Sequence, residues 1–136
     1  MAADAVKIIV HDASDNVLVL RRSSTHPHWP FEVDFPGGDV DDNESLVQAA
    51  VRELQEETGL VSEPHELEFV ESWPNHHGTH HHLYRLRLTN SQPVVQISWE
   101  HDEHTWLSLQ QLFETTHPAV TDRFNTSIVA YLRAGE

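Results

Sequence analysis

The stretch from Gly38 to Leu60, G-D-V-D-D-N-E-S-L-V-Q-A-A-V-R-E-L-Q-E-E-T-G-L, constrains this chain more than any other. From Glu44 to Glu57 the apolar residues Leu46, Val47, Ala50, Val51 and Leu54 recur at helical spacing, which predicts a helix with one stripe turned to a core. At about 100 degrees per residue, Glu53, Glu56 and Glu57 fall together along one edge of that stripe. They also crowd the last turn before Gly59. There the helix dipole disfavours each negative charge by roughly 0.3 to 1 kcal/mol, and like charges at i, i+3 and i+4 repel. A run of glutamates is ordinarily a solvated face, but folding gains nothing from carboxylates at a core border and at the wrong helix end. A hard divalent cation accounts for both, since Mg²⁺ or Mn²⁺ takes carboxylate oxygens and shares its remaining positions with water and phosphate. The Pro36-Gly37-Gly38 turn that introduces the helix lets backbone approach a ligand closely.

Gly38, Glu44, Arg52-Glu53-Leu54, Glu56-Glu57 and Gly59-Leu60 together resemble the signature of the Nudix hydrolases at every fixed position. The resemblance implies an α/β/α sandwich with a mixed sheet between helices. It also implies metal ligation by Glu53, Glu56 and Glu57, with the carbonyl of Gly37 as a further ligand. Near Arg22, members of that family place an arginine that contacts substrate phosphate. They also have an acidic loop before a W-x-S-L-type strand, here Glu100 to Leu109, that can bring another carboxylate to the metals. Glu100 is the first choice for that role and Glu103 the second, the other reading being a solvated acidic turn.

Composition agrees with a small single domain spanning 1–136. Eight Lys and Arg against 22 Asp and Glu leave a formal net charge of -14, which argues against binding long nucleic acids through their phosphates. The absence of cysteine excludes disulfides, thiolate metal sites and cysteine nucleophiles. The amino terminus lacks a basic segment followed by an apolar run, and no stretch approaches membrane-spanning length. The expectation is therefore a cytoplasmic protein acting on a small nucleotide, without a membrane partner.

Along the chain, Ala5 to Val10 and Val17 to Leu20 predict a hairpin around Asp12 to Asn16. Arg21 and Arg22 end its second strand. Ser23 to Pro30 reads as a loop in which Trp29, or the following Phe31, offers a stacking face to a base. Phe31 to Phe35 delivers Asp34 and Phe35 to the mouth of the site, next to Gly37 and Gly38. Ser45 or Asn43 caps the long helix, Glu44 and Arg52 are placed for a structural ion pair, and Gly59 terminates the helix. Glu66 to Trp73, Leu83 to Leu88 and Val94 to Ile97 read as strands. The histidine-rich run His76 to His82 reads as a solvated hairpin tip rather than a zinc site, because its histidine doublets lack a fixed ligand face. A short helix from Ser108 to Phe113 and a closing helix carrying Val120, Phe124, Ile128, Val129 and Leu132 complete an α/β pattern.

The expected chemistry is metal-assisted hydrolysis of a pyrophosphate linkage in a nucleoside diphosphate joined to another group X, with Mg²⁺, or Mn²⁺ in its place, as cofactor. Glu53, Glu100 and Glu103 are the candidate proton acceptors. Two alternatives stand beside it: a nucleoside triphosphate pyrophosphohydrolase that removes oxidised nucleotides, and a non-catalytic ligand-binding module on the same fold. For the first, the asparagine expected soon after Pro118-Ala119 is replaced by Val120-Thr121-Asp122, and Asn125 comes late. For the second, loss of a metal glutamate is expected, yet all are retained.

Overall fold

A computed structural model describes residues 4–25, 32–74, 80–90, 93–115 and 123–135. The strands are β1 (Asp4–His11), β2 (Val17–Arg22), β3 (Val33–Asp34), β4 (Gly37–Asp39), β5 (Glu68–Pro74), β6 (His80–Arg87) and β7 (His101–Leu107). The helices are α1 (Leu46–Thr58), α2 (Leu109–Thr115) and α3 (Arg123–Ala134). All seven strands join one mixed sheet ordered β3-β2-β1-β6-β5, with β4 added to β1 and β7 to β2. The parallel pair is β1 with β6, in register from Asp4↔His80 to His11↔Arg87, and the other pairings are antiparallel.

Strand alternation puts two cores on the two faces of this sheet. Val6, Ile8 and Val10 of β1, Leu18 and Leu20 of β2, and Tyr84 and Leu86 of β6 pack under Ala49, Ala50 and Leu54 of α1. Ile9, Val17, Val19, Phe35 and Leu83 meet Leu112 of α2 and Ile128, Val129 and Leu132 of α3 on the other. The sheet therefore lies between helices, the α/β/α sandwich expected from the sequence.

The long helix starts at Leu46 rather than Glu44. Ser45 caps it reciprocally with Gln48, and Asn43 lies outside it at φ 64°. Gly59 closes it at φ 74°, its N–H donating to the carbonyl of Gln55. Two expectations about strands are corrected. Val94 to Ile97 is no strand: Val95 and Ile97 pack on the α1 core, and the Gln96 N–H donates to the carbonyl of Thr58 at 2.8 Å. The apolar alternation there reports a segment that covers a helix end and satisfies one of its unpaired carbonyls. Conversely, the acidic run expected as a loop is largely strand, since His101 to Leu107 pairs with β2 from Arg22 to Val17. Arg21 compensates its carboxylates, bonding Asp102 at 2.8 and 3.0 Å and lying 3.5 Å from Glu103, which turn propensity does not register.

The histidine run is also only partly a tip. His80, His81 and His82 belong to β6, and His82 is held between Ser72 Oγ at 2.6 Å and Asp4 Oδ1 at 2.9 Å. His76, His77, Trp29, Phe31 and Val120 lie outside the described residues.

One backbone position ties the box to the sheet. Gly37 has φ 151°, and a Cβ there would stand 2.0 Å from the carbonyl oxygen of Val6 and 2.7 Å from the Lys7 Cα. Both are β1 backbone atoms, which cannot give way. Gly37→Ala is expected to lose about 3 kcal/mol of stability or more, read as a lower denaturant midpoint at unchanged slope. A wild-type midpoint would show that β4 docks less rigidly on β1 than this contact requires.

Candidate active site

The end of α1 brings its carboxylates against β4, and each is held differently. Arg52 reaches back along the helix to Glu44, donating from Nε and Nη2 at 2.8 and 2.9 Å, and from Nη2 to the carbonyl of Asp39 at 2.9 Å. Its remaining Nη1 bonds Glu53 at 2.9 Å and Glu56 at 3.2 Å. One guanidinium thus fixes the α1–β4 junction and aims two acidic side chains, a task suited to its rigid fork of donors. A Cβ on Gly38 would lie 2.7 Å from the Glu53 carboxylate, so the glycine leaves room for that group.

Glu57 points inward. It is 3% exposed and accepts the Gly37 N–H at 2.7 Å. Burial pushes its carboxyl up to about 8, opposed by Lys7 and the Gly37 N–H and reinforced by Asp34 and Glu53. Glu53 is raised too, chiefly by burial, with Arg52 opposing and the charges of Glu56 and Glu100 adding to it. Among the described residues no three His, Asp or Glu side chains close on one point. The donor types of the expected ligands, the carboxylates of Glu53, Glu56, Glu57 and Glu100 and the Gly37 carbonyl, nonetheless fit a hard cation, and burial and like charge raise two of the carboxyls.

Glu100 and Glu103 do not occupy the places expected of them. Glu100 sits in the turn before β7, its carbonyl accepting the Ser23 N–H at 2.9 Å, and its charge acts on Glu53. Glu103 lies within β7 opposite Arg21. The strand supposed to hold Glu100 is absent, and a backbone bond to the end of β2 holds it instead.

Beneath the box lies a charge cluster of which only part was anticipated. Asp34 is 2% exposed and receives Lys7 Nζ at 2.6 Å, Arg22 Nε at 3.1 Å, His101 Nε2 at 2.9 Å, Asn125 Nδ2 at 2.9 Å and the Phe35 N–H at 2.9 Å. Lys7 also donates to the Phe35 carbonyl at 2.9 Å, and His101 Nδ1 is 3.8 Å from Glu57. Burial alone would raise the Asp34 carboxyl; Lys7, His101 and Arg22 overcome it and hold it well below the usual range. Arg22, Asp34 and Phe35, expected to face substrate, are all buried and form the floor of the site. A strand-end arginine turns inward here because a buried carboxylate needs its charge. Lys7, His101 and Asn125 were not singled out for this role. The available signal was Lys7, a lone cation inside an otherwise apolar strand, which calls for a buried counter-charge.

The NUDIX domain family model matches residues 1–127. The chain belongs to the NUDIX family. Over 62 residues it is 44% identical to an RNA pyrophosphohydrolase of Teredinibacter turnerae, covering 46% of this chain and 34% of that protein. Over 52 residues it is 46% identical to a putative 8-oxo-dGTP diphosphatase of Bacillus subtilis, covering 38% of this chain and 32% of that one. Such matches span between 19% and 34% of the length of these and other curated relatives. The crystal structure of a MutT protein from Methanosarcina mazei Go1 has the same fold, with a TM-score of 0.75 at 22% identity over 98% of this chain and 94% of that one. NUDIX hydrolases act on pyrophosphate bonds of nucleotide derivatives and generally use divalent metals. No helix among the described residues is long and apolar enough to cross a membrane.

Removing the central carboxylate strands two buried cations, so Asp34→Asn is expected to cost about 3 to 5 kcal/mol. Because the folded Asp34 titrates below its ordinary 3.8, its contribution is complete above that pH and is lost as pH falls through the lower, folded value. Acid titration of stability should therefore be shallower in Asp34→Asn than in wild type. Equal acid limbs would place the pairing elsewhere.

Proposed function

We propose that this NUDIX domain hydrolyses a pyrophosphate bond in a small nucleotide, a nucleoside diphosphate joined to a further group X, in the cytoplasm and with Mg²⁺, or Mn²⁺ in its place, as cofactor. The observation that carries the reading is that Glu57 bonds the Gly37 N–H and Glu53 abuts Gly38, while Glu56 shares Arg52 with Glu53, and burial and like charge raise both Glu53 and Glu57. Those three carboxylates, with Glu100 and the Gly37 carbonyl, would hold the metal. When bound, it neutralises phosphate oxygens and acidifies a water.

The chain's own residues perform the rest. Arg52 keeps Glu53 and Glu56 oriented, so little reorganisation is needed when substrate arrives. The Gly37 N–H holds Glu57 at the turn. Glu53, its carboxyl raised chiefly by burial, is the proton acceptor for the attacking water, with Glu100 as the second candidate and Glu103 as the third. The buried Asp34 cluster keeps the floor rigid. The oxidised-nucleotide reading draws support from the name of the Bacillus relative, but Asn125 is committed to Asp34 and the Val33 carbonyl rather than to reading a base. Release of nucleoside monophosphate or phosphate from a nucleotide panel, with and without Mg²⁺, tests the reading; a non-catalytic module releases neither.

Glu53→Gln and Glu56→Gln are each expected to lower turnover by at least about 100-fold, roughly 2.7 kcal/mol of barrier, with the fold intact. Near wild-type rates in both variants on a substrate the wild type turns over would remove the metal assignment.

Glu100→Gln is expected to lower kcat by about tenfold and raise the Mg²⁺ requirement, whereas Glu103→Gln, whose carboxylate faces Arg21, should do less. Mg²⁺ titrations giving the reverse order would make Glu103 the acid that reaches the site.

A further inference from the structure

At the far end of β1 from the box, a cavity of about 470 Å³ opens between the hairpin, β6 and the end of α3. It falls within the size range of small-molecule sites. Lys7, under the box, and His11, in this cavity, lie on the same face of β1 four residues apart, on the order of 13 Å along a strand. The two regions are therefore separate.

The charge of this cavity sets it apart. In a chain with eight Lys and Arg against 22 acids, Arg85 and Arg87 both line it, and Asp15 is the single acidic wall residue among the described residues. Asp15 lies 3.0 Å from His11 Nδ1 and 3.5 Å from Arg87 Nη1. Three buried nitrogens make no hydrogen bond among the described residues: Arg85 Nε and both ring nitrogens of His11, whose side chain is 4% exposed. An oxyanion entering the cavity meets the guanidinium ends of Arg85 and Arg87, whose forked N–H donors suit phosphate. The Arg85 guanidinium lies 5.7 Å from the centre of the Tyr131 ring, and Leu132 continues an apolar wall beside it.

We propose that this cavity is a second ligand site, which takes a small molecule carrying a phosphate group and a planar aromatic body, such as a nucleoside monophosphate. The phosphate supplies acceptors to Arg85 and Arg87, and the body fills the space beside Tyr131 and Leu132, which a free phosphate would leave empty. The inference does not rest on the hydrolase reading.

Calorimetric titration of the full chain with AMP and with inorganic phosphate, in Mg²⁺-free buffer containing a chelator, tests it. The expected result is saturable AMP binding, tighter than that of phosphate. It should be weakened about tenfold or more by Arg87→Glu and by Arg85→Ala and unchanged by Glu53→Gln. Arg87 is largely exposed, so Arg87→Glu decides the matter even if Arg85→Ala does not fold. Absence of saturable AMP binding overturns the proposal. So does binding that survives Arg87→Glu or is lost in Glu53→Gln, and phosphate binding as tightly as AMP would remove the planar body from it.

Discussion

The buried carboxylate of Asp34 is the interaction on which the site depends. Taking one carboxylate and two cations out of water costs several kcal/mol per ion, a penalty that only good geometry and full hydrogen bonding offset. Asp34 meets that condition with donors from β1, β2, β7, α3 and its own neighbour Phe35. Exposed pairs such as Arg21 with Asp102 contribute on the order of 0 to 1 kcal/mol and decide little. From Asp34 the network runs through Lys7 to the Phe35 carbonyl and, one turn on, to the Gly37 N–H that carries Glu57. The floor of the site and its acidic rim are thus one electrostatic unit.

Two arginines divide the work within that unit. Arg22 is buried and compensates a charge the fold has already sequestered, whereas Arg52 is partly exposed and distributes its donors among Glu44, the Asp39 carbonyl, Glu53 and Glu56. Replacing either by lysine would keep the charge and lose the fork, so neither exchange is conservative. Neighbouring glutamates also differ sharply in environment: Glu57 is enclosed while Glu56 stands in solvent. One helix turn therefore offers both an enclosed carboxylate and a solvated one that Arg52 holds.

Much of this was legible in the sequence wherever a short-range rule governs. The α1 stripe, the Ser45 cap, the Gly59 stop and the Glu44–Arg52 pair all follow from spacing within or just before one helix. The family resemblance and the α/β order followed from the box and the strand patterns. What escaped was set by partners distant in sequence. The β7 strand looks like a loop until Arg21 is seen beside it, and Val94 to Ile97 looks like a strand until its role over the end of α1 is known. Likewise Arg22 was expected at substrate phosphate, because nothing local to it reveals Asp34 as its counter-charge.

The sequence distances within the Asp34 cluster bear on how the domain is built during synthesis. Arg22 lies 12 residues from Asp34, Lys7 27, His101 67 and Asn125 91. Contacts of such separation are entropically slow to close, and this carboxylate obtains its full set only after α3 has been made. A nascent chain ending before β7 carries Lys7, Arg22 and Asp34 with neither His101 nor Asn125 to complete their bonding. Burying them at that stage would leave the carboxylate short of two of its hydrogen bonds, a cost that β7 and α3 remove.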